Sequence, residues 1–346
     1  MKRLYLLAAS MGLAIASPAF AFDGWHQESA TAIPSKNAGY DYISYDAKGN
    51  RLFLGHRKEG LQIFDVGNKK LIKTLEGTPE HSANGALLLP EYDLAISNNE
   101  DGTITPFKLS TLEPKEAIKL AEGIDTSHYD SGSRRIVVNT AAGKDGTELI
   151  VLDVPSLNKV GSIKVGTVKA EHAEGDGKGN FYLASRDPAK LYRIDVKNLK
   201  VTAEWDTPGC AQTNSLAYDA ANNRIFLGCR GSDTVKPSLA VVNAETGAVI
   251  YTTEIGANND GVIFDPETKR IFAANGNSAN INVVEQVDAN TYRPLEALST
   301  HPTVKTLAYD QKNKRLFAMG AETSMDLQTK KVTIMPNSFM VYSYVK

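Results

Sequence analysis

Cysteine is nearly absent from this 346-residue chain, which holds only Cys210 and Cys229. No C-x-x-C occurs and no histidine lies near the pair, so a zinc ribbon and a thiol redox motif are both excluded. The chain has no G-x-S-x-G elbow, no H-E-x-x-H, no C-x-x-C-H haem attachment and no phosphate-cradling glycine loop. These gaps remove the readable enzyme signatures, although sites assembled from dispersed residues escape such a search. There is no polybasic run, and bulk attraction to nucleic acid is not expected. Single-stranded nucleic acid would also need aromatic platforms, and Tyr129 is the best candidate in the upper loops. No apolar run reaches the roughly 20 residues that a membrane span requires.

The longest apolar run, residues 4–16, follows Lys2 and Arg3 and precedes Pro18-Ala-Phe-Ala21. A basic start, a short apolar stretch and a small-x-small site read as a secretory signal peptide over 1–21. Without Lys2 and Arg3 the chain has 36 basic and 40 acidic residues, a net charge of −4. Export places the two cysteines in an oxidising compartment. They flank one predicted hairpin at the same end, so a Cys210–Cys229 disulfide is expected.

What is present is repetition. Residues 210–256 contain four short apolar runs, SLAYD, RIFLG, LAVVN and AVIYTTEIG, separated by turns and one longer polar loop. This is a four-stranded antiparallel meander. Its second-strand signal recurs at Arg51, Asp93, Arg135, Asn180, Arg224, Arg270 and Arg315, at steps of 42 to 46 residues. Seven such units over 22–346 predict an all-β, seven-bladed β-propeller, because a lone meander cannot bury both faces whereas a radial ring can. The last unit ends after its third strand. Residues 25–33 belong to no repeat and are expected to supply the missing outermost strand, covering an open edge. A monomer is expected. The second unit departs most, with Leu-Pro90-Glu-Tyr-Asp93 replacing the Asp-turn-Arg pattern.

The Asp-ended strand, the turn, Arg and an aliphatic-aromatic pair, as in Arg270-Ile-Phe-Ala-Ala-Asn275, resemble the bacterial YVTN-type propellers, the YncE-like group of exported proteins. The resemblance spans the chain from about Tyr40 to its end. It implies a periplasmic propeller, commonly a binding or interaction protein.

Five residues before each terminal Asp lies a position facing the channel near the long loops. It holds Asp41, Asp125, Asn214, Asp260 and Lys305, with Asn84 and Glu171 after allowance for shifted turns. Four carboxylates in such a ring (Asp41, Asp125, Glu171, Asp260) suit Ca²⁺ or Mg²⁺, or a cationic or hydroxyl-rich ligand. A water-filled channel mouth also carries polar residues. Close carboxylates repel and raise one another's pKa unless a cation such as Lys305 compensates. On that basis, joint replacement of Asp41, Asp125 and Asp260 by Asn should stabilise the empty protein. Arg57, Lys144, Arg186 and Arg230 follow the second strands and could clamp an anion, or pair with Glu59, Asp187 and Asp233 beside them. His81, His128, His172 and His301 come from four blades at unequal offsets, which favours scattered positions over one metal site. The leading expectation is a non-catalytic module that binds a partner protein or small polar ligand on the long-loop face. The alternative is a metal-assisted hydrolase or lactonase at an acidic channel mouth.

Overall fold

A computed structural model describes residues 24–36, 39–140, 146–329 and 331–346; the expected signal peptide and Lys144 lie outside them. The described chain forms seven four-stranded antiparallel sheets. Blade 1 comprises Ile43–Asp46, Arg51–His56, Gly60–Asp65 and Lys70–Thr74. Blades 2 to 6 repeat this order, with inner strands Ala83–Leu89, Ile124–Asp130, Lys169–Gly175, Thr213–Asp219 and Asn259–Asp265. Blade 7 takes Leu307–Asp310, Arg315–Gly320 and Met340–Val345 from the C-terminal end, and His26–Ala32 pairs outside them. The N-terminal segment thus closes the ring. Its edge-on contact of Trp25 with Phe272, centroids 5.0 Å apart, and the buried Ile33 hold it in place.

The repeated Asp and Arg have a structural reason. Asp46, Asp219 and Asp310 accept backbone N–H bonds from the turn that follows each of them, at 3.0–3.3 Å. The residue before Arg adopts a left-handed conformation in several turns, as at Asn50, Asn223 and Lys314. Tyrosines cross to the preceding blade, Tyr45 to Asp310 at 3.1 Å and Tyr309 to Asp265 at 2.9 Å. In blade 2 the departing Pro90–Tyr92 segment is a single 3₁₀ turn, and Asp93 takes the left-handed position at φ 50°. Leu89 still pairs with Leu94, so the register survives.

Apolar side chains fill seven clusters, one between each pair of neighbouring blades. Each sheet therefore buries both faces, which explains the near-continuous apolar second strands. Cys210 and Cys229 are bonded, with Cα atoms 5.2 Å apart, tying the inner pair of blade 5 at its long-loop end. The loop before the last strand of blade 7 carries a small hairpin, Thr323–Met325 with Val332–Ile334, that no repeat pattern announced. Among the described residues no helix is long and apolar enough to cross a membrane.

Candidate functional site

Inner strands line the central channel, and a repeated irregularity aims one residue of each at its mouth. Pairing with the second strand slips between Ala83 and Gly85, Ile124 and Ser127, Ala170 and Ala173, Thr213 and Ser215, and Asn259 and Gly261. A bulge bends the strand and redirects a side chain. The slips contain Asn84, Asp125, Glu171, Asn214 and Asp260. In blades 1 and 7 the same level is reached just before pairing begins, by Asp41 and Lys305.

The mouth is a circuit of ion pairs. Lys305 Nζ donates to Asp41 at 2.8 Å and to Asp260 at 2.6 Å. Arg57 donates to Asp41 at 2.8 Å, and Arg230 to Asp260 at 2.6 Å. Arg186 lies 2.6 Å from Glu171 and donates to Asn214 at 2.7 Å, while Asn214 donates to Asp260. Lys169 donates to Asp125 at 2.5 Å. Asn84 stands apart from the charges and bonds the backbone carbonyls of Ile124 and Asp125 at 3.2 and 3.4 Å. The arginines reach across to the ring rather than to their sequence neighbours. Arg57 also meets Glu100 at 3.2 Å on the outer side.

This arrangement corrects the picture of an acidic mouth. A cavity of about 240 Å³ is lined by Tyr42, the carboxylates Asp41, Asp125, Glu171 and Asp260, and the cations Arg57, Lys169, Arg186, Arg230 and Lys305. Five cations outnumber four carboxylates, and every carboxylate already faces a cation. The four candidate metal ligands are thus brought to one rim with positive groups between them. Among the described residues no group of three or more His, Cys, Asp or Glu is placed to hold a metal ion. Lys169 escaped the sequence reading. Its signal was available: two places before the ring position, the seven repeats hold Gly, Ser, Gly, Lys, Gln, Asn and Thr.

Burial and neighbours drive the carboxylates apart in acidity. Burial opposes ionisation of Asp260, but Lys305 and Arg230 more than offset it and hold the carboxyl down at about 2. Burial pushes Glu171 up to about 7, against the pull of Lys169 and Arg186. Its Oε1 is close to Arg186 without making an aligned hydrogen bond, and its side chain is 3% exposed. Desolvation therefore outweighs the cations at Glu171, with the neighbouring carboxylates adding a lesser push, whereas at Asp260 the cations win.

The histidines do not share a site. His81 pairs with Asp101 at 2.5 Å, and His301 stacks on Tyr342. His128 and His172 do meet, edge to face with centroids 4.4 Å apart, inside the channel. Tyr129 is not an upper-loop platform: it pairs with Ile136 in the sheet, and its hydroxyl meets that of Tyr92 at 3.1 Å. Beyond the mouth the channel continues as a chamber of about 400 Å³, walled by the next residues of the inner strands and by Asn98 of the second strand of blade 2. Tyr42 and Asp260 line both spaces and divide them.

No family model and no curated protein matches the chain. Solved structures do. A chain from the crystal structure of a mitotic checkpoint complex superposes with a TM-score of 0.74 at 11% identity, covering 100% of this chain and 99% of that one. Hydrazine synthase from Kuenenia stuttgartiensis superposes with a TM-score of 0.70 at 11% identity, covering 88% of this chain and 97% of that one. At such identity the likeness is one of fold, the seven-bladed propeller, and carries no activity with it.

Proposed function

We propose that this protein is an exported, periplasmic propeller of the YVTN-type, YncE-like kind, and that it binds without catalysis. Its ligand is a small polar molecule, or the polar side chains of a partner protein, seated over the channel mouth. One observation carries the reading: blades 1, 3, 4, 6 and 7 each send an inner-strand residue to the lining of a single cavity, and Arg57, Lys169, Arg186 and Arg230 join them there. No repeat alone could build such a surface. The mixed, slightly positive set suits a molecule with an anionic group and further polar atoms, because guanidinium forks recognise carboxylates in two-point geometry. The disulfide accords with an oxidising compartment.

Thermal-shift and calorimetric titration with L-glutamate, succinate and glucose tests the site. Stabilisation by one of them, lost in the Arg186→Ala/Arg230→Ala double variant, is the expected result. Stabilisation that survives in that variant would move the site to the outer rim loops. Metal analysis of the purified protein addresses catalysis, since a stoichiometric divalent ion lost on Glu171→Gln would favour the hydrolase instead. Cell fractionation of the full chain tests export; an unprocessed cytoplasmic product would overturn it.

A further inference from the structure

The hairpin of Thr323–Met325 with Val332–Ile334 interrupts blade 7 between its second and third strands, at the long-loop end. Of the large apolar side chains exposed among the described residues, Met325, Leu327, Val332 and Met335 all fall on this one loop, and the rest are spread around the ring. A concentration of that kind marks an interaction surface. The loop is built rather than slack. Asp326 accepts the Gln328 and Thr329 N–H groups at 2.8 Å each, and its own N–H donates to the Lys331 carbonyl at 3.0 Å. At the base the Met335 N–H donates to the Glu322 carbonyl at 2.8 Å, and Phe339 stacks on His56 with centroids 4.1 Å apart.

The ladder decides what the hairpin offers. Bonded and non-bonded pairs alternate along antiparallel strands. Asp326 with Lys331 and Glu322 with Met335 are bonded. Met325 with Val332 and Thr323 with Ile334 are therefore non-bonded pairs, whose N–H and C=O groups point out from the two edges. Among the described residues no third strand pairs with either edge. The same four residues share one face, which is apolar but for Thr323. Ile334 packs that face onto the core, and Met325 and Val332 carry it outward, each about half exposed.

We propose that the Val332–Ile334 edge is an interface with a second copy of this chain, the two edges pairing antiparallel about a two-fold axis at Thr333. That register sets Val332 against the partner's Ile334. These are the residues with outward backbone groups, so each pair exchanges both of its hydrogen bonds. The apolar faces of the two hairpins then run together as one sheet. No like charges meet, because Lys331 falls opposite the partner's Met335. The other edge is unsuited: an axis at Ser324 would set Glu322 opposite the partner's Asp326. A contact this small gives a weak dimer, so the chain is a monomer when dilute.

Sedimentation equilibrium of the purified protein from about 10 µM to about 1 mM tests this, and a dimer with a dissociation constant on the order of 100 µM is expected. Val332→Pro removes an outward N–H and leaves the bonds within the hairpin, so it should weaken association by roughly tenfold or more. Val332→Lys should do the same. Thr323→Pro makes the equivalent change on the opposite edge and should leave association unaltered. Thermal unfolding verifies that each variant is folded. A monomer over the whole range would overturn the proposal and leave this face to a different protein. A dimer of equal strength in Val332→Pro and Val332→Lys would overturn it too, as would association lost in Thr323→Pro and kept in Val332→Pro.

Discussion

Two regions of one channel, meeting at Tyr42 and Asp260, differ in polarity. At the mouth, nine charged side chains line a small cavity and pair with one another, although Arg57 Nε, Arg186 Nε and Glu171 Oε1 have no hydrogen-bond partner among the described residues. In the chamber, mostly neutral side chains line a larger cavity, and Asn98 Oδ1 and Ser127 Oγ are likewise without one. The difference follows from position along the inner strands. The mouth lies at the bulges, where side chains are turned toward the axis and long second-strand side chains can reach them. The chamber lies where the ladder is regular and the inner strands contribute most of the wall, with Asn98 from the second strand of blade 2. Paired charges tie neighbouring blades together at the mouth.

Mouth and chamber both exist only in a closed ring, so opening the ring is the largest perturbation. Deleting residues 25–33 removes the buried Trp25 and Ile33 and the outer strand of blade 7. Loss of those two side chains alone amounts to about 3–6 kcal/mol. A marked fall in melting temperature is expected; unchanged stability would contradict the closure.

Lys305→Met breaks the circuit at its centre. It leaves Asp41 to Arg57 and Asp260 to Arg230, and an expected loss of about 2–3 kcal/mol at pH 7, read by urea unfolding. The Asp260 carboxyl is held at about 2 against an ordinary 3.8. Its stabilisation is present above the ordinary value and disappears as pH falls through about 2, so the deficit of the variant should shrink on acidification. For the same reason joint Asn replacement of Asp41, Asp125 and Asp260 is expected to destabilise the protein, because it strands Lys305, Arg230 and Lys169 and leaves Arg57 only Glu100.

Glu171→Gln acts the other way. The Glu171 carboxyl binds its proton more tightly folded than unfolded, with a pKa of about 7 against 4.5. Its stabilising contribution is full below 4.5 and is lost as pH rises to about 7. The variant should therefore be more stable than wild type at pH 8, by about 3 kcal/mol, and lack that slope between pH 4.5 and 7. A parallel pH profile in both proteins would show that Arg186 fully compensates the charge.

The smallest effect belongs to the chamber. Ser127→Ala removes a hydroxyl without a partner, and stability should change by less than about 0.5 kcal/mol, in contrast to every substitution at the mouth. A larger loss would mean that Ser127 is bonded to a structural water, and the two regions would be more alike than they look.

The sequence by itself determined the blade number, the strand order, the strand exchange at the closure and the cysteine pair. Each is written in local periodicity: apolar runs, Asp-led turns and a step of about 45 residues report on chain neighbours, and a propeller is built from chain neighbours. The ring positions were legible as well, since Asp41, Asp125, Asp260 and Lys305 share one offset from a turn. Their chemistry was not. Only the tertiary structure decided that Lys169 answers Asp125 from the next blade, that Arg186 and Arg230 turn inward from their own neighbours, and that His128 meets His172 while His81 does not. Whether a ring of carboxylates is acidic depends on the cations that reach it through space, over a few ångströms and across sequence separations of 15 to 264 residues. Coulomb interactions read distance, and distance between blades is set by the closed ring rather than by any one repeat.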